Sequence, residues 1–372
     1  MSNNKIWDII ITGGGVAGLS FAILSAKSGL SVLVIEKGQY PKHKVCGEYI
    51  SMESFDFLLQ LGVPLETMDL PRINNFVLTS HNGSKATCKL DKGGFGLSRY
   101  KLDNLLAEIA VENGVKLLTG HKVTEIAYQE DEYLVATHLQ KKEKAKLVVG
   151  AYGRISGLDN IPNIQQEKYI GVKYHIDKGP VDDTIEIHTF RGGYCGISKI
   201  EDNKYCLCYL AKASDIKPFK GDIIAYEHAV LMKNPYLKKR LEYKQFSKNT
   251  ITANLYFDIN NSTEKEYLQI GDAAGFIPPL TGNGMSLAFR SAKDLHKEVL
   301  EFFCMNKTRE MLLNNNRKHI SRYLLHRIRK GIFLQNLLFI ENKNFNKLLM
   351  KSLSGIPGLM KFMTKQATGE TI

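Results

Sequence analysis

Tryptophan is nearly absent. The 372 residues hold one, Trp7, and it precedes the first long apolar run. Six cysteines (Cys46, Cys88, Cys195, Cys206, Cys208 and Cys304) show neither Cys-x-x-Cys nor zinc-ligand spacing, which argues against a disulfide framework and against a structural metal. No apolar run approaches the roughly 20 residues of a transmembrane helix. The polar start Met1-Ser-Asn-Asn-Lys5 is not a secretory signal. The ten histidines form no Ser-His-Asp order and no metal spacing. There is no internal repeat, no low-complexity tract and nothing like a nucleic-acid recognition module. With 44% hydrophobic residues the chain can bury a sizeable core in two domains plus an extension. Cysteines without partners fit a reducing cytoplasm, the expected location.

Two glycine-rich segments carry most of what is present. In Asp8-Ile-Ile-Ile-Thr-Gly-Gly-Gly-Val-Ala-Gly18, the β-branched run Ile9 to Ile11 suits a strand buried on both faces. Gly13, Gly15 and Gly18 stand at Gly-x-Gly-x-x-Gly spacing. Gly13 allows a tight turn, Gly15 lets backbone approach a pyrophosphate, and Gly18 lets helix pack closely on sheet. Val16 and Ala17 open that helix. A second strand, Ser31 to Glu36, ends in an acid 18 residues after Gly18, placed to accept hydrogen bonds from adenosine ribose hydroxyls. The pattern predicts dinucleotide binding.

The second segment, Gly271-Asp-Ala-Ala-Gly-Phe-Ile-Pro-Pro-Leu-Thr-Gly-Asn-Gly-Met285, selects FAD among dinucleotides. Tyr267 to Ile270 reads as a strand, and Asp272 follows at a position suited to ribityl hydroxyls or a bridging water. Gly282, Asn283, Gly284 and Met285 open a long helix whose unpaired backbone N–H groups form an anion site. The alternative reading is a plain helix cap with glycines for turning.

The chain resembles the geranylgeranyl reductase branch of the group-A flavoproteins, whose wider fold includes the p-hydroxybenzoate hydroxylase type. Besides the glycine segments, Pro41-Lys-His-Lys-Val-Cys-Gly-Glu48 is similar to the reductases' Cys-Gly-Glu segment. Leu97 to Asp103 resembles the arginine-bearing start of the helix that crosses the cofactor, and Val149 to Ser156 a hydroxylase segment with Tyr152 in place of Asp. The resemblance implies an α/β fold: a Rossmann-like FAD-binding domain with an inserted antiparallel-sheet substrate domain and a C-terminal helical extension. It implies a cofactor-binding set of Gly13, Gly15, Val16, Ala17, Gly18, Glu36, Lys37, Lys44, Cys46, Arg99, Val123, Gly271, Asp272, Gly282, Asn283, Gly284 and Met285. Cys46 and Tyr194 are the catalytic candidates. Cys46 is read either as a proton donor or as packing, and Tyr194 either as a hydrogen-bond donor to substrate or as a strand tyrosine. Lys44 and Arg99 are read as neutralising cofactor charge or as surface cations. The flavin is expected to be non-covalent, with NADPH or NADH as candidate electron donors.

The reductases' Tyr-x-Trp-x-Phe-Pro segment is replaced by Gly193-Tyr-Cys-Gly-Ile-Ser198, and the Trp-rich motif of flavin-dependent halogenases is missing. A true geranylgeranyl substrate and halogenation are therefore not expected. The division by segments assigns 1–72, 98–160 and 250–300 to the FAD-binding domain, 73–97 and 161–249 to the substrate domain, and 301–372 to helices. Net charge is +12, of which +9 lies in residues 301–372, with 13 Lys/Arg against four Glu. That concentration reads as peripheral contact with an anionic membrane, as docking of an acidic carrier protein, or as a solvated helical face.

The expected function is hydride transfer to or from a carbon–carbon bond of a lipophilic substrate (polyene, polyketide or isoprenoid-like). An aromatic monooxygenase is the alternative, with an aromatic small molecule as substrate, and an electron-transfer flavoprotein is the second alternative.

Overall fold

A computed structural model describes residues 5–154, 158, 167–243, 245, 250–255, 265–275, 284–321, 329, 331–333, 343–356, 358–361, 364 and 372. Of the predicted site residues, Gly282 and Asn283 lie outside them. Most of the basic run Arg317 to Lys330 does too.

The Ile9–Ile11 run forms the centre of a seven-stranded sheet. Its order is β6 (Lys116–Thr119), β2 (Val32–Glu36), β1 (Ile6–Thr12), β9 (Lys142–Gly150), β8 (Glu132–Thr137) and β7 (Val123–Gln129), with β15 (Leu268–Gln269) also pairing β9. The pairings among β6, β2, β1, β9 and β15 are parallel, and β7–β8–β9 run antiparallel. Ile9 and Ile11 pack into the core with α1 (Val16–Lys27), whereas Ile10 joins Leu33, Ile35 and Val148 on the opposite face. Both faces of the strand are covered, and all three isoleucines have no exposed surface.

The second sheet has eight strands: β14 (Thr250–Leu255), β10 (Tyr169–Ile176), β13 (Tyr205–Lys212), β12 (Gly193–Lys199), β11 (Thr184–Phe190), β4 (Arg72–Thr79), β5 (Lys85–Gly96) and β3 (Tyr49–Ser51). It is antiparallel except where β11 meets β4. Strands β3 and β14 belong to this sheet, although the division by segments grouped both with the FAD-binding domain. Each is a short edge strand whose partner lies far along the chain, so nothing local in its sequence shows which sheet it joins.

Alternation gives this sheet two different faces. Val172, Tyr174, Cys195, Ile197, Leu207 and Tyr209 pack on one side, with Tyr226, Leu231 and Leu237 from α5 (Ile223–Ala229), α6 (Pro235–Leu241) and the turn between them. The other side presents cross-strand rows. His175 is opposite Cys206, which is opposite Ser198; Lys173 is opposite Cys208, which is opposite Gly196; Gly171 is opposite Leu210, which is opposite Tyr194. One end of this face is therefore polar and the other apolar.

Two helices complete the frame. In α7 (Gly284–Phe303), Leu287, Ala288, Ala292, Leu295 and Val299 form a buried stripe that joins the α1 core. In α3 (Arg99–Glu112), Leu102, Leu106 and Ala110 do the same, and Ser98 caps the helix by accepting from the Lys101 amide. In the C-terminal region, Met350 and Leu353 of the helix Lys343–Gly355 pack against Leu78, Tyr194 and Leu210 of the second sheet. Among the described residues, no helix is long and apolar enough to cross a membrane.

Candidate cofactor and active site

The first glycine turn is built by close backbone contact. Gly13 has φ +112°, and a Cβ there would lie 2.4 Å from the Ala151 carbonyl oxygen. A Cβ on Gly18 would lie 2.0 Å from the Gly13 oxygen. Gly15 differs. A Cβ there would meet only Lys44 Nζ at 3.4 Å and an Arg99 terminal nitrogen at 3.9 Å. The start of α1 carries no side-chain cap, so its free N–H groups face a space flanked by two cations. That cradle fits a pyrophosphate.

Glu36 ends β2 beside the same turn. Its carboxylate accepts from the Gly14 amide at 2.8 Å and the Gly38 amide at 2.8 Å, and it pairs with Lys42. Burial works to raise the pKa of Glu36, but the Lys42 charge and these hydrogen bonds outweigh it and hold the pKa below the ordinary value. The cation beside Glu36 is thus Lys42, while the predicted Lys37 is exposed. Two bound amides and one ammonium leave acceptor capacity on a carboxylate with about four lone-pair sites. Val123, at the start of β7, is buried with Ile10, Ile35 and Tyr133, two positions from His121, whose amide donates to the Glu36 carbonyl.

The remaining motifs converge on this turn. Gly271 has φ +60°, and a Cβ on it would sit 2.9 Å from the Ala17 methyl. Asp272 accepts from Arg154 at 3.2 Å. The Cys46 thiol lies 4.0 Å from the Met285 thioether at the start of α7. Lys44 and Arg99 both pair with the fully buried Asp103, at 2.9 Å and 2.6 Å. Neither is a plain surface cation.

Glu48 is a residue to which the sequence reading gave no role. Its backbone is left-handed (φ +56°), and it has no exposed surface. Glu48 Oε1 accepts from Lys173 Nζ at 2.6 Å and from the Arg99 amide at 2.8 Å, and Oε2 accepts from His175 Nε2 at 2.7 Å. The carboxylate therefore ties the Cys-Gly-Glu segment and the N-terminus of α3 to β10. Burial opposes its charge, yet the His175 hydrogen bond and Lys173 hold its pKa below the ordinary value. Burial likewise works to lower Lys173, and Glu48 raises it more. The signal was present in Ile170-Gly-Val-Lys-Tyr-His-Ile176: alternation puts Lys173 and His175 on one face, and a polar pair on a face with a buried partner calls for a counter-charge. Glu48, His175 and Cys206 offer metal-type atoms within 4.8 Å of one another, but the Lys173 ammonium already holds the position of the cation.

Tyr194 is buried at the apolar end of the same face, with Leu210, Tyr169 and Met350. Burial pushes its pKa well up, so it keeps its proton. Cys208 lies between the two ends, its thiol pushed up to about 12 by burial and then by nearby charge.

Comparison with known proteins agrees with this geometry. Residues 7–170 match the family described as FAD binding domain. The digeranylgeranylglycerophospholipid reductase of Methanococcus vannielii is 27% identical over 306 residues, covering 76% of this chain and 74% of the relative. A 1H-pyrrole-2-carbonyl-[peptidyl-carrier protein] chlorinase of Pseudomonas fluorescens is 24% identical over 356 residues, covering 79% and 76%. Among solved structures, halogenase PltM in complex with phloroglucinol and FAD superposes with TM-score 0.71 at 18% identity, covering 96% of this chain and 85% of that one. The fold and site define an FAD-dependent oxidoreductase of the flavoprotein class. Within that class the chain is similar both to proteins named digeranylgeranylglycerophospholipid reductase and to flavin-dependent halogenases.

Proposed function

We propose that the protein transfers hydride to, or in reverse from, a carbon–carbon bond of a lipophilic substrate, with NADPH or NADH supplying the electrons. The observation that carries this reading is Cys46, in its Cys-Gly-Glu segment, held against Met285 and the polar end of the second sheet. Similarity to proteins named digeranylgeranylglycerophospholipid reductase supports it. When bound, the flavin supplies the hydride chemistry.

The chain's own residues do the rest. The turn around Gly13, Gly15 and Gly18, with Lys44 and Arg99, holds the pyrophosphate, and Glu36 the ribose. Asp272, Gly284 and Met285 line the second end. Tyr194, Leu210, Ile187 and Leu353 form a buried apolar cluster at the other end of the same sheet face, surroundings that suit a lipophilic substrate. The Tyr194 hydroxyl, protonated, is a donor for a substrate oxygen. Cys46 is the candidate proton donor.

A second reading, oxygen-dependent hydroxylation or halogenation of an aromatic or carrier-bound ring, is favoured by similarity to proteins named chlorinase and brominase. Against halogenation, the single tryptophan sits at the far end of β1 from the glycine turn, donating to Glu143. The test is to reduce purified protein anaerobically and mix it with polyprenyl, polyene and aromatic candidates. Flavin reoxidation coupled to a saturated product without oxygen supports the reductase. Turnover that requires oxygen, with or without halide, overturns it.

A further inference from the structure

We propose that Asp103 is the positioning residue of the pyrophosphate cradle: it holds Lys44 and Arg99 side by side over the open face of Gly15 and thereby sets how tightly FAD is retained. This inference rests on the reading that the FAD pyrophosphate lies at Gly15, not on which substrate is turned over.

The two cations are anchored differently. Arg99 and Asp103 stand one turn apart on α3, a spacing that brings their side chains together. Lys44 comes from an irregular segment between β2 and β3, where neither helix nor strand holds its backbone. The Asp103 carboxylate, with no exposed surface, joins them. Its Oδ1 accepts from Arg99 Nε at 2.6 Å, and its Oδ2 accepts from Arg99 Nη2 at 2.9 Å and from Lys44 Nζ at 2.9 Å. The stiffness of α3 is thereby carried to a lysine that its own backbone leaves loose. A guanidinium offers five N–H donors and an ammonium three, so donors remain on both for a phosphate at Gly15. A Cβ on Gly15 would have Lys44 Nζ and Arg99 Nη2 as its neighbours, at 3.4 Å and 3.9 Å.

Neighbouring cations repel, and more strongly out of water. Burial lowers the pKa of Lys44; Asp103 works against it, and Arg99 and Lys42 add to the lowering. Without the carboxylate, Lys44 either swings out to solvent, to which its side chain is already 29% exposed, or gives up its proton. In both cases the pyrophosphate loses a cation. Charge alone acts in the opposite direction. A carboxylate that only offset the two cations would repel the pyrophosphate, and its removal would tighten FAD binding. The sign of the change therefore separates positioning from neutralisation.

The test is titration of flavin-stripped, full-length protein with FAD at low and high potassium chloride. Asp103→Asn keeps the shape of the side chain, but its amide nitrogen cannot accept a hydrogen bond, so one cation is released. FAD binding should weaken by about ten- to a hundredfold, the loss of one charge-assisted contact, and should depend less on salt. Asp103→Glu keeps the charge but displaces it, and should also weaken binding. In a Lys44→Met background, where no lysine remains to be placed, Asp103→Asn should cost less than it does in wild-type protein. A folded Asp103→Asn protein that binds FAD as tightly as wild type, or more tightly, overturns the proposal. Where that variant does not fold, wild-type affinity and salt dependence in Asp103→Glu overturn it. Wild-type affinity in both Lys44→Met and Arg99→Gln would place the pyrophosphate elsewhere, and the proposal would fall together with that reading. Weakened binding in those two variants beside wild-type binding in Asp103→Asn overturns the proposal alone.

Discussion

The sulfur atoms of Cys46 and Met285 lie 4.0 Å apart across 239 positions of sequence. This contact closes the site, because it brings the segment after β2 onto the first turn of α7. A Cβ on Gly284, one residue earlier, would meet nothing within 4 Å. Gly284→Val should therefore fold with an ordinary melting temperature while blocking approach of the flavin to the α7 N-terminus. The expected result is expulsion of FAD or a lowered reduction potential. A folded variant with wild-type flavin affinity and potential would remove α7 from the site.

Two glycines of the first turn should separate folding from binding. Gly18→Ala places a methyl 2.0 Å from backbone oxygen, so stability should fall by roughly 1–3 kcal/mol, the usual cost of overpacking. Gly15→Ala meets only the side-chain ends of Lys44 and Arg99, at 3.4 Å and 3.9 Å. It should keep its melting temperature as apoprotein and lose FAD affinity. Equal behaviour of the two variants in thermal melts and flavin titration would contradict the cradle.

Glu36→Ala should weaken FAD retention by about 1–3 kcal/mol, the scale of a charge-assisted hydrogen bond. It also leaves the Gly14 and Gly38 amides without their acceptor, so the loss should persist at high salt. Equilibrium dialysis showing unchanged affinity would place the ribose elsewhere.

A buried ion pair outside the site makes a prediction about acid stability. Arg240 donates two hydrogen bonds to Glu186, at 2.9 Å and 3.0 Å, and His188 lies 3.0 Å from the same carboxylate. Burial works to raise the pKa of Glu186, and His188 and Arg240 outweigh it, bringing it to about 2 from 4.5. A folded value below the unfolded one means stability that is present above about pH 4.5 and lost as pH falls toward about 2, worth on the order of 3 kcal/mol. Denaturant melts should show this decline, and Glu186→Gln should flatten it. The same acid dependence in both proteins would assign it to other carboxylates.

Thiol labelling should follow burial. Cys304 is exposed, whereas Cys195 and Cys206 are buried with their pKa values pushed well up and Cys208 is pushed up to about 12. At neutral pH, iodoacetamide should modify Cys304 quickly and spare these three in the folded protein, because only the thiolate reacts. Rapid modification of Cys208, read by peptide mass, would mean that the second sheet opens.

The sequence by itself determined the cofactor chemistry and the first sheet. A β-branched strand, three glycines at fixed spacing and an acid at the end of the next strand act locally, through turn conformation and close approach, so they are visible without the fold. The same holds for the apolar stripe of α7 and for Arg99 at the start of α3. Tertiary structure alone decided which charges meet. Lys42 rather than Lys37 reaches Glu36, because the chain folds back after β2. Strands β3 and β14 join the second sheet through pairing with residues far along the chain. Glu48 becomes a hub because β10, about 125 positions away, lays Lys173 and His175 across it. Periodicity marks such polar residues as facing inward, but a buried charge is stable only against a partner, and the identity of that partner is a property of packing between distant segments.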